Sequence, residues 1–88
     1  MITVEKSVLS ERSNSPLVRN PLLSLNAAKQ LQGLPPDARQ ALAAMLRDMR
    51  DDARRPAQEC WRKHKAPMAV YWKCVGVYCN HLYRVVRP

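Results

Sequence analysis

Eighty-eight residues with no Phe, two Trp and three Tyr leave Leu, Ala, Val and Met to build a core, enough for one small and marginal domain. A formal charge of +8, from 15 Lys+Arg against 7 Asp+Glu, selects acidic proteins, polyanions or anionic surfaces as company. Two glycines cannot build a phosphate cradle, and Met1–Lys6 lacks the basic-then-apolar pattern of a secretory leader.

Residues 1–23 place Ser10, Ser13, Asn14, Ser15, Pro16, Asn20 and Pro21 at close intervals. No helical or alternating period survives across them, so they read as a flexible N-terminal arm, with residues 24–88 as one helical domain. Within the arm, Leu17–Leu23 is an apolar patch expected to pack back on that domain. Ser24 has the chemistry of an N-cap for a short helix over about 25–32, with Gly33 as its C-terminal stop. Leu34-Pro35-Pro36 forbids continuation. A helix, a turn and a second helix invite a helix-turn-helix reading, but two prolines and Asp37 stand where a recognition helix needs base-reading side chains.

The next helix is predicted over about 36–64, with Pro36 near its first position and Asp37 facing the positive end of the dipole. Leu42, Leu46, Met49, Ala53, Pro56 and Cys60 recur at alternating steps of four and three, a single apolar stripe. Arg39, Arg47, Arg50, Asp51, Arg54, Glu59 and Arg62 fall off the stripe as a solvated face, with Asp51 spaced to pair with Arg54 or Arg55. Pro56 removes a backbone donor inside the stripe, so the helix is predicted to kink there.

Ala66-Pro67 breaks the chain, and a second helix is predicted over about 67–86. Met68, Tyr71, Val75, Tyr78, Leu82 and Val85 form one row. Trp72, Val75, Cys79, Leu82 and Val86 form another beside it, while Lys73, Asn80, Arg84 and Arg87 share the polar side. The competing reading is a β-hairpin turning at Asn80-His81, because Val70–Cys79 is rich in β-branched and aromatic residues. The predicted architecture is therefore all-α: a helical hairpin, kinked in its first arm, preceded by a short helix and the arm. The second helix is apolar over more than half its circumference. A single hairpin partner cannot cover that, which predicts association, as a homodimer or on another protein.

Chemistry is scarce. Cys60 and His64 at i,i+4 are the only local thiol–imidazole pair, with no third orienting group or oxyanion donor, and Asp51-Asp52 lie among arginines; an enzyme is not expected. The same Cys60 and His64, with Cys79 and His81, are the candidate ligands of a structural zinc, an alternative tied to the strand reading and lacking any CxxC pair. No cofactor is expected. Three Cys without a secretory leader fit reduced thiols in a cytoplasmic protein. Lys73, Asn80, His81 and Arg84 make a membrane-spanning 68–86 expensive. The basic elbow Trp61-Arg62-Lys63-His64-Lys65, with Arg54 and Arg55 behind it, supports an alternative as a nucleic-acid binder.

The favoured reading is a small non-enzymatic protein-binding module, an accessory or inhibitory factor for a larger complex. Leu46, Met49, Trp72, Val75, Tyr78 and Leu82 would supply apolar contacts. Arg54, Arg62, Lys63, Lys65, Arg84 and Arg87 would steer it to an acidic surface. Size and charge also suit a factor encoded by a phage or mobile element, an expectation that no residue carries.

Overall fold

The computed structural model describes residues 15–88. Among these the chain is all-α, with no strand, so the β-hairpin alternative for 70–86 does not hold. The elements are α1 (Pro16–Arg19), a 3-10 turn (Pro21–Ser24), α2 (Asn26–Gln32), α3 (Pro36–Asp52), α4 (Arg54–Arg62) and α5 (Ala66–Val86).

The first three differ from the sequence reading in detail. Residues 16–24 are not without structure: they form two helical turns, and residues 1–14 of the expected arm lie outside the described residues. Ser24 does not cap α2; its hydroxyl donates to the Pro21 carbonyl at 2.7 Å and closes the 3-10 turn. Leu25 takes the cap position without a side-chain bond. Gly33 stays right-handed at φ −85°, so α2 ends because Pro35 and Pro36 follow, not because a glycine turns the chain. The patch in this segment anchors on α5. Asn20 is buried and its Nδ2 donates to the His81 carbonyl at 2.9 Å. Leu22, Leu25, Ala28 and Leu31 surround Val85 and Leu82.

Pro36 opens α3, and the Asp37 carboxylate accepts the Ala38 N–H. The helix is interrupted at Ala53, three residues before Pro56, whose missing N–H would have donated to Asp52. Ala53 keeps helical dihedrals (φ −65°, ψ −19°) and its N–H still reaches Met49. The helical ladder is therefore interrupted between α3 and α4 without the chain opening into a loop.

α5 packs along both α3 and α4. The seam is made of small side chains: a Cβ on Gly76 would lie 3.7 Å from the Arg50 carbonyl and 3.9 Å from Ala53. The buried cluster is Ala43, Leu46, Cys79 and Val86, with Leu31, Leu42, Val75, Leu82 and Tyr83 against it. On α5 the row containing Trp72, Val75, Cys79, Leu82 and Val86 faces inward, whereas Met68, Tyr71 and Tyr78 of the other row are exposed. On α3 the inner row runs Ala43, Leu46, Arg50, Ala53 and displaces Met49 to the surface at 53% exposure. The reason is Arg50. Its Nη1 donates to Asn80 Oδ1 at 2.9 Å and its guanidinium lies 5.5 Å from the Tyr83 ring centre, so a cation occupies the seam position the apolar stripe had assigned to Met49. Asp51 pairs with this same Arg50 at 2.9 Å and not with Arg54 or Arg55.

Arg39 also leaves the solvated face. Its Nε donates to the Val86 carbonyl at 2.9 Å and its Nη2 to the Arg87 carbonyl at 3.0 Å. A cation from α3 thus closes the C-terminal end of α5, where unpaired carbonyls concentrate negative charge. The core is shallow and leaves Met68, Val70, Tyr71, Val77 and Tyr78 of α5 exposed. Arg39→Ala is expected to lower stability by about 1–2 kcal/mol, while Arg47→Ala on the open surface changes it by less than about 0.5 kcal/mol. Urea denaturation of the two variants checks this, and equal midpoints would refute the capping role.

Candidate functional site

α4 does not run through to residue 64. Lys63 ends it and His64 takes the left-handed conformation at φ 60°. The His64 N–H donates to the Trp61 carbonyl at 3.1 Å, and the Lys65 N–H reaches back to the Cys60 carbonyl at 2.8 Å. This reciprocal pair closes the helix end and aims the chain into α5. A left-handed residue does not share the helical phase of Cys60, so Cys60 and His64 are not on one helix face as i,i+4 spacing implied.

The other thiol–imidazole candidates also separate. Cys79 is buried in the seam, Cys60 is half-buried and Cys74 exposed. His81 is on another side of α5 from Cys79, as two residues on a helix must be. The convergence of Cys79 and His81 required a strand. Among the described residues no group of three or more His, Cys, Asp and Glu side chains is placed to hold a metal ion.

Within the elbow, Glu59 gathers the cations. It accepts from Arg62 Nη2 at 2.7 Å and lies 3.2 Å from Lys63 Nζ. The Arg62 hydrogen bond, then that of Lys63, holds the Glu59 carboxyl below the usual carboxylate range. A depressed carboxylate stabilises the fold above its unfolded pKa and loses that contribution as pH falls through the lower folded value. All three side chains are solvated, so the effect on stability is small. Trp61 stands out from the elbow at 68% exposure. Arg55 and Lys65 are exposed beside it. Arg87 stacks on Tyr83 at 5.8 Å from the ring centre and Arg84 is exposed. At 1.5 Å per residue, Arg84 and Arg87 sit roughly 27–32 Å from the elbow, so the basic residues do not form one patch.

The apolar candidates divide. Leu46 is buried and Val75 and Leu82 pack on the core, so all three serve the fold. Trp72 is half-buried and meets Tyr71 edge-on, with ring centres 5.3 Å apart. Met49 and Tyr78 remain exposed. Sequence reasoning missed their neighbours Met45 and Tyr71, at 56% and 55% exposure. By helical phase Tyr71, Cys74, Tyr78 and Val85 share one edge of α5, and Met45 and Met49 flank the same side of the seam. Val85, covered by the α1–α2 segment, is 1% exposed; Tyr71 and Tyr78, on the same edge toward the elbow, are at 55% and 57%. One stripe is thus covered at one end and bare at the other.

No helix among the described residues is long and apolar enough to cross a membrane. Comparison with protein-family models gave no match, and searches of curated proteins and of solved structures found no significantly similar chain. His64→Gly relieves the left-handed strain and is expected to raise stability by about 1 kcal/mol. Thermal unfolding measures it, and a lower melting temperature would contradict the turn described.

Proposed function

We propose that this chain is a small, non-enzymatic protein-binding module, an accessory or inhibitory factor that docks on a larger protein through the bare half of α5. The supporting observation is the contrast along one stripe: Val85 sealed, Tyr71 and Tyr78 open, with Met45 and Met49 of α3 also exposed. Tyr and Met suit such a surface. Tyr gives large contact area with a polar tip at little entropic cost, and Met adapts to irregular partners. The α3–α5 unit then works as a helical hairpin whose unfinished side is completed from outside, and in isolation the same side pairs two copies of the chain.

Nucleic-acid binding by the elbow is the weaker reading. Glu59 already holds Arg62 and Lys63, which leaves Arg54, Arg55 and Lys65 as a sparse phosphate-binding set. The double substitution Tyr71→Glu/Tyr78→Glu is expected to convert a low-micromolar dimer to monomer, with unchanged helicity, as read by sedimentation velocity and circular dichroism. A wild-type chain that sediments as a monomer, or a dimer indifferent to both substitutions, counts against this face.

A further inference from the structure

The opposite side of the same seam carries a second, chemically different surface. Two open depressions of about 510 and 710 Å3 run together there, sharing Ala57, Gln58 and Lys73. One wall is Arg50, Arg54, Ala57 and Trp61, from α3 and α4. The other is Ala69, Lys73, Gly76 and Asn80, from α5. Both rows advance by four, three and four residues, the spacing that lets a helix lie along another. The floor is largely small side chains, Ala53 with the Ala57, Ala69 and Gly76 that both rows contribute, and the half-buried Trp72 lies among them. A third helix packed there would lie about 8–10 Å from the axes of α4 and α5.

We infer that this trough is a docking groove for an acidic amphipathic helix of a partner protein. The inference rests on the protein-binding reading and gives the partner's chemistry. Trp61, Val70 and Val77, at 68%, 54% and 45% exposure, edge the trough and supply the apolar surface such a helix covers. No acid lines either depression. Of its cations, Arg50 is held by Asp51 and Asn80 and Arg62 by Glu59. Arg54 and Lys73 are exposed, one on each wall, with no ion-pair partner within 4.0 Å among the described residues. The complement is a helix with an apolar stripe for the small-residue floor and a carboxylate on each flank. A nucleic acid fits less well. Its phosphates need a row of free cations, whereas here two uncommitted cations flank an apolar floor.

The test uses the full chain and three labelled probes. The first is a helical peptide of about three heptads with Leu along one stripe and Glu on both flanks. The second is its counterpart with Lys in place of Glu, and the third a single-stranded oligonucleotide. The acidic peptide is expected to bind the wild-type chain. Arg54→Glu/Lys73→Glu should weaken that binding at least about tenfold and admit the Lys peptide, while Tyr71→Glu/Tyr78→Glu leaves it unchanged. Circular dichroism establishes that both variants are folded. The proposal is overturned by failure of the acidic peptide to bind, by indifference of its affinity to the groove charges, or by its loss in the tyrosine variant. Displacement of the peptide by the oligonucleotide overturns it equally, as does a dimer that dissociates on Arg54→Glu/Lys73→Glu, which would put a second copy in the groove. Each of these outcomes leaves the sedimentation result for Tyr71 and Tyr78 standing on its own.

Discussion

The close approach of α5 to the junction between α3 and α4 constrains the rest of the described structure. Gly76 lies against Arg50 and Ala53, and Ala57 and Ala69 lie nearby along the same trough. Such small side chains allow close backbones but bury little apolar area, so the contact fixes geometry more than it supplies stability. The deeper core lies toward the C-terminal end of α5, where Leu46, Cys79, Leu82 and Val86 meet and where α2 adds Leu31. Arg39 and Arg50 hold that end by polar contacts from α3. Toward the elbow, among the described residues, the small-residue seam and the half-buried Trp72 carry the packing, and the left-handed turn at His64 closes the end. Stability and exposed apolar surface are therefore segregated along one helix.

Much of the helix layout was legible because prolines and period carry it locally. Pro36 and Ala66-Pro67 mark helix starts through their fixed backbone angles, and Lys73, Asn80 and Arg84 segregate on α5 in a way a strand would not produce. The interruption between α3 and α4 follows from the one N–H that Pro56 lacks. The excess apolar surface of α5 was visible from the width of its apolar face.

The rest depended on partners distant in sequence. Arg39 and Arg50 look like solvated charges until α5 arrives beside them, at Val86 and at Asn80. With Arg50 in the seam, the inner face of α3 rotates away from Met49, a shift that no count of apolar residues contains. His64 gave no warning because left-handed helix ends are ordinarily read from glycine, and the real Gly33 stays right-handed. The apolar residues proposed for a partner were selected for hydrophobicity alone, which cannot separate Leu46, Val75 and Leu82 from the exposed Tyr78. Burial draws that distinction.

α5 is anchored at its C-terminal half and largely uncovered at its N-terminal half. Native-state amide hydrogen exchange along α5 tests it most directly, because protection reports the free energy of local opening residue by residue. Cys79–Val86 should exchange only through near-global unfolding, while Val70–Cys74 exchange through smaller openings and markedly faster. Uniform protection along the whole helix, or slower exchange at Tyr71 than at Leu82, would contradict it.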